Sequence, residues 1–248
     1  MSIPIINIPV EKLPSKGKLY PQGTEVSYKT LTFGEVQKLS SSKMSESEII
    51  EFCMEGIIVK SLNKFLLTHS DYQFILMSRK LSMSKESQSK IRFLNPLTKE
   101  KEDYVFNHSD IVFKDIEVSV FTVVFNINEE CSLEFTPLTV QDMLVLIKKD
   151  SYTDATAITA SMIRNKHFNE AYKIISEISD YDDIEDLNKV IKLLDHSIEP
   201  FKVKCSDKKG NVQTVKLAPD RRQVHLIPFR TREDTAGSRI SFGNKRDS

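Results

Sequence analysis

Three short motifs fix where helices begin in this chain, and with them much of the order of its elements. Thr32 is followed by Glu35, Ser45 by Glu48 and Thr139 by Asp142. In such a box the hydroxyl accepts from the backbone N–H three residues on. The acid reaches back to the N–H of the capping residue, so two otherwise unpaired donors are satisfied. Ahead of the first box, Glu25 to Lys29 reads as a short strand with Val26 and Tyr28 on one face. The helix opened by the second box carries Ile49, Phe52, Cys53 and Ile57 at helical spacing.

Before these motifs the chain is extended. Pro4, Pro9, Pro14 and Pro21 disfavour helix over residues 1–25, and Gly17 and Gly23 supply turns. Two readings stand, a solvated arm and an arm packed on the body through Leu13, Leu19 and Tyr20. A third helix is expected from Thr68–Asp71 to about Leu81, with Tyr72, Ile75, Leu76 and Arg79 on one face and Phe74, Met77 and Leu81 on another. Ile91 to Leu94 and Asp103 to Phe106 form a candidate hairpin around Asn95–Pro96–Leu97–Thr98. Within Asp115 to Asn128, Ser119 to Phe125 is β-branched and aromatic on both faces, which predicts a strand buried on both sides.

The pattern then starts again. Leu133 to Asp142 can be laid on Val26 to Glu35 with a shift of 107 positions, so that Leu31, Thr32 and Glu35 meet Leu138, Thr139 and Asp142. Three further helices are expected, at about 153–166, 169–179 and 182–195. Ala171, Ile174, Ile175 and Ile178 make one apolar stripe, and Ile184, Leu187, Ile191 and Leu194 a heptad-like seam. A second hairpin, Phe201 to Cys205 and Asn211 to Leu217, flanks the turn Asp207–Lys208–Lys209–Gly210; it matches the first with a shift of 110. A tandem duplication explains this, and so do two unrelated uses of common capping chemistry. The expected fold is α+β and mostly helical. Two strand–helices–hairpin units, 26–112 and 132–220, are joined by a β segment, 113–131. An extended arm, 1–25, precedes them and a basic tail, 221–248, follows.

The tail holds seven basic against three acidic side chains, which leaves +4. It reads as a solvated tail or as a docking segment that orders on a partner through Arg239–Ile240–Ser241–Phe242–Gly243. Over the whole chain Lys plus Arg equals Asp plus Glu at 35 each, so no general attraction to nucleic acid or an anionic membrane is expected. Lys208–Lys209 and the tail lack the interleaved aromatics of a base-stacking platform. No apolar run approaches a membrane span, and Met1 to Val10 is too short and proline-rich for a signal peptide.

Nor do the residues spell out an active site. Cys53, Cys131 and Cys205 are far apart and odd in number, which fits a reducing compartment without disulfides. The five histidines show no metal-ligand spacing, and His69 and His108 fall at element ends, where capping or solvent contact is usual. The acidic run Asp180, Asp182, Asp183, Glu185 and Asp186 lacks calcium-loop spacing and suits a helix start. Cys205 precedes a turn, as a zinc-ribbon ligand would, but no partner follows it. The chain is therefore read as a non-enzyme with no catalytic residue, metal or cofactor.

One segment is more specific. Leu13–Pro14–Ser15–Lys16–Gly17–Lys18–Leu19–Tyr20–Pro21, a short strand, and then Leu31–Thr32–Phe33–Gly34–Glu35 resemble the opening of the baseplate hub and hub-assembly family of T-even-type bacteriophages. The signature spans about 25 residues. The resemblance implies protein–protein contacts with other baseplate hub proteins, in the cytoplasm of an infected bacterium or in the virion. Two roles follow from it, an assembly factor that leaves or a structural hub subunit retained in the particle. Related proteins carry cysteine pairs where this chain has the regions around Asn95 and Cys205, so a family zinc site is not expected here. The candidate partner-binding residues are Leu13, Leu19 and Tyr20 on the arm, with Arg230, Arg232, Arg239, Ile240 and Phe242 on the tail. Oligomeric state is left open.

Overall fold

The computed structural model describes residues 3–40, 44–83, 88–116 and 122–217. The chain opens with β1 (Ile5–Ile8), a turn of 3-10 helix at Val10–Lys12, and β2 (Glu25–Lys29). Two helices follow, α1 (Phe33–Ser40) and α2 (Glu46–Glu55), then β3 (Ile57–Lys60) and α3 (His69–Met83). A hairpin of β4 (Gln88–Leu94) and β5 (Lys101–Asn107) closes the first half. The second half runs through β6 (Val123–Asn126), β7 (Ser132–Phe135), α4 (Val140–Lys148), α5 (Ala155–Ser161), α6 (Phe168–Glu177) and α7 (Tyr181–Leu194), and ends in β8 (Phe201–Ser206) and β9 (Val212–Leu217). The fold is α+β with small antiparallel sheets. β2 lies between β1 and β3, and β4–β5, β6–β7 and β8–β9 pair as hairpins.

The boxes do their expected work. Thr32 and Glu35, Ser45 and Glu48, and Thr139 and Asp142 exchange hydrogen bonds at 2.6–3.4 Å. β2 occupies the predicted residues and buries Val26 and Tyr28. Both predicted hairpins form, and the Asn95 and Asp207 carboxamide and carboxylate oxygens hold their turns by accepting N–H bonds from two or more residues ahead. Asp180 caps α7 through the N–H groups of Asp182 and Asp183, which accounts for part of the acidic run.

Elsewhere the chain departs from its local pattern. The arm is packed rather than solvated, and it carries a strand near its start: β1 pairs with β2 from Ile5↔Lys29 to Ile8↔Val26. Ile57 leaves the predicted second helix and starts β3, because Gly56 ends α2 and the run Ile57–Ile58–Val59 is β-branched. The strand predicted to be buried on both sides is described only from Val123. There Phe125 is buried but Val124 is 54% exposed, since β6 has one strand neighbour and one core to face; the rest of Ser119 to Phe125, up to Phe121, lies outside the described residues. Ile184 leaves the α7 seam at 40% exposed, and Leu187, Val190 and Leu194 make the buried face. No helix among the described residues is long and apolar enough to cross a membrane.

Among the described residues five apolar clusters form the interior, and three of them are the larger ones. The first gathers β1–β3, α2 and α3 and includes Leu13, Val26, Ile50, Leu67 and Ile75. The second packs β6–β7 on the helices of the other half through Phe125, Leu133, Phe135 and Leu187. The third joins the two long hairpins, where Phe106 and Phe201 lie 4.6 Å apart between ring centres. α4 lies between the first cluster, which Val140 and Leu144 enter, and a smaller one where Met143 and Leu146 pack on Ala157; Leu138 and Phe168 border both that smaller cluster and the second.

A buried cation sits inside the first cluster. Arg79 is 1% exposed and donates from Nε to the Lys29 carbonyl at 3.0 Å and from Nη1 to the Cys53 carbonyl at 2.9 Å, so it clamps the end of β2 to the end of α2. Burial pushes the neighbouring Cys53 thiol up to about 11, which keeps it protonated and unreactive. A methyl group on Gly56 would collide with the Arg79 guanidinium. Gly56→Ala is expected to lower stability by about 1–3 kcal/mol, read from the urea midpoint, and an unchanged midpoint would contradict the clamp.

Candidate functional site

The arm is held by one buried carboxylate. Asp71, in the first turn of α3, is fully buried; its Oδ1 accepts the Ser15 N–H at 2.8 Å and its Oδ2 accepts the Tyr20 hydroxyl in a short hydrogen bond. Burial, then the Asp71 charge, pushes the Tyr20 phenol well above its ordinary range, so it stays a donor. The same phenol oxygen accepts the Thr68 N–H at 3.0 Å. Lys16 and Gly17 turn the chain between these contacts with φ of +54° and +70°.

Thr68 carries the network across the molecule. Its hydroxyl caps Asp71 N–H at 3.2 Å and meets His196 Nε2 at 2.8 Å. His196 Nδ1 lies 3.0 Å from the Leu194 carbonyl, which can only accept, so Nδ1 carries the proton. Around Thr68 the starts of α3 and α4 pair through a single antiparallel bridge, Thr68 opposite Thr139, with His69 N–H donating to the Leu138 carbonyl at 2.8 Å and Val140 N–H to the Leu67 carbonyl at 3.0 Å. Beside it, Lys114 pairs with Asp195, and residues 112–114 bond to 197–199 through backbone groups. Burial pushes Asp195 up, but Lys114 and Ser197 outweigh it and hold the carboxyl below the usual range.

The predicted partner-binding residues thus separate. Leu13 and Leu19 are 1% and 3% exposed, and Tyr20 is committed to Asp71 and Thr68. Leu13 and Leu19 are thus used inside the protein, and Tyr20, half-buried, spends its hydroxyl on Asp71 and Thr68. Arg230, Arg232, Arg239, Ile240 and Phe242 lie outside the described residues. His69, expected at a solvated or capping element end, is 6% exposed and shares a cavity wall with His196. No spacing in the chain announces that meeting, since the two are brought together only by the contact of the two halves. Among the described residues, no group of three or more His, Cys, Asp or Glu side chains is placed to hold a metal.

Compared with protein-family models, curated proteins and solved structures, the chain matches none. What the fold and the junction define is an α+β protein in which the arm is part of the core.

Two measurements probe the junction. Tyr20→Phe should cost about 1–2 kcal/mol and speed tryptic cleavage at Lys12 to Lys18; equal cleavage would show that the arm is held otherwise. Lys114→Met should cost up to about 1 kcal/mol near neutral pH. Asp195 is held lower in the folded than in the unfolded chain, so its contribution is present above about pH 4 and is lost as pH falls through the folded value. The stability gap between wild type and Lys114→Met should therefore close in acid urea melts, and a constant gap would contradict the pairing.

Proposed function

We infer that the chain is a bacteriophage baseplate hub assembly factor that acts through protein–protein contacts and performs no bond chemistry. The observation that carries this reading is the segment Leu13 to Pro21 with the strand and capped helix behind it, which resembles the opening of the T-even-type hub family. The positions of that signature have physical roles that support treating it as a unit: Leu13 and Leu19 fill the core, Ser15 and Tyr20 grip Asp71, and Gly17 turns against Val10. The factor holds other hub subunits in a geometry that favours their association, so that less freedom is lost when they meet. The basic tail, through Arg230, Arg232, Arg239, Ile240 and Phe242, is the proposed docking segment.

A duplicated architecture belongs to the same proposal. It is supported by the two strand–helix junctions, where positions 29 and 136, 32 and 139, and 35 and 142 correspond under one shift. Arg79 Nε binds the Lys29 carbonyl in one, and Arg164 Nε binds the Thr136 hydroxyl while its Nη2 pairs with Asp142 in the other. The arginines come from different elements, α3 and the loop after α5, so the likeness is of the junction rather than of the whole unit. A duplication of this kind would offer partners two similar strand–helix junctions.

Mass spectrometry of purified particles separates the two roles. Absence from particles together with a requirement for hub formation is expected; detection at a fixed hub copy number would replace the assembly factor with a structural subunit. Deleting Arg230 to Ser248 should leave the melting temperature unchanged and weaken capture of hub proteins, and equal capture would remove the tail from the proposal.

A further inference from the structure

A cavity of about 140 Å³ lies at the junction, between the first turn of α3 and the ends of α5 and α7. Its wall divides by chemistry. Leu138, Ile158, Met162, Ile191 and Leu194 form an apolar side, and Ser70, Gln73 and the histidines form a polar one. Ser70 and Gln73 are 7% and 4% exposed. They stand one turn apart on the same face of α3. The Gln73 amide meets His69 Nε2 at 3.1 Å with one end. Among the described residues nothing bonds its other end or the Ser70 hydroxyl. Neither is a sealed polar atom without a partner; each faces the open space of the cavity, where a ligand or water can pair with it.

The wall offers no free charge of its own. Asp195 is its one carboxylate, and Lys114 and the Ser197 N–H already hold it. Both ring nitrogens of His196 are engaged. An ionic ligand would therefore lose its hydration without gaining a counter-charge.

We propose that this cavity is a binding site for a small neutral ring compound that carries one hydroxyl or amide head. The size fits one six-membered ring, since an apolar cavity of about 150 Å³ takes up benzene. The ring lies against Met162, Ile191 and Leu194, and the head exchanges hydrogen bonds with Ser70 and Gln73. The site is independent of the assembly reading, because it uses neither the signature's contacts nor the tail.

The test is titration of the full chain with p-cresol, toluene and benzoate, with methionine methyl groups labelled with carbon-13 so that Met162 reports from inside the cavity. Saturable p-cresol binding that shifts the Met162 methyl is expected, with toluene weaker and benzoate without effect. Ser70→Ala should weaken p-cresol by roughly three- to tenfold and leave toluene unchanged. Gln73→Met, close in shape, tests the same head group if Ser70→Ala disturbs the fold, which the ligand-free methyl spectrum reports. Absence of a saturable shift would mean that water alone fills the space. Benzoate or toluene binding as tightly as p-cresol, or both variants binding it like wild type, would overturn the proposal.

Discussion

The Asp71 carboxylate is the group that the rest of the structure leans on. A fully buried carboxylate is tolerated only where hydrogen bonds replace its hydration, and here the donors come from the Ser15 backbone and the Tyr20 phenol. The requirement works both ways. Asp71 needs the arm to stay satisfied, and the arm, which has few helical or sheet contacts between Val10 and Pro21, needs Asp71 to be placed. Thr68 extends the dependence to His196 in the other half. One polar chain of contacts thus runs from residue 15 to residue 196 through an otherwise apolar interior.

Around this chain the two halves share elements rather than merely touching. α4 packs into the first half's cluster and onto α5 of the second, the starts of α3 and α4 exchange backbone bonds, and the hairpins from each half build one aromatic core. A cavity between shared elements moves with both of them. Whatever fills the space beside Ser70 and Gln73 therefore couples to how firmly the halves are held, because a ligand that binds only the folded arrangement stabilises it by mass action.

Local chemistry was enough to read the helix starts, β2, both long hairpins and the buried face of α3, since each rests on residues within a few positions of one another. Ser45 and Glu48, or Asp207 and Gly210, carry their own instructions. β1 was not legible, because Ile5 to Ile8 becomes a strand only when β2 lies beside it. Ile57 was misread for a related reason: helical spacing continued past Gly56, and the β-branched run with its partner β2 won. Of the junction, Tyr20 and Leu13 were singled out for partner contact, whereas the carboxylate that claims Tyr20 lies 51 positions away. His69 and His196 carried no signal at all, as their meeting depends on the packing of complete halves.

The span of these contacts also sets an order on how the protein can come into being. Ser15 leaves the ribosome 56 residues before Asp71, and Thr68 precedes His196 by 128. At about 5–20 residues per second of synthesis, the arm waits for seconds without the group that holds it, with Leu13, Leu19 and Tyr20 uncovered. During that interval the apolar side chains that later make the arm part of the core are a ready surface for chaperones or for other nascent chains. The arm is fixed only after the start of α3 has been made, and the node that fixes it is completed only when the chain has passed α7 to His196.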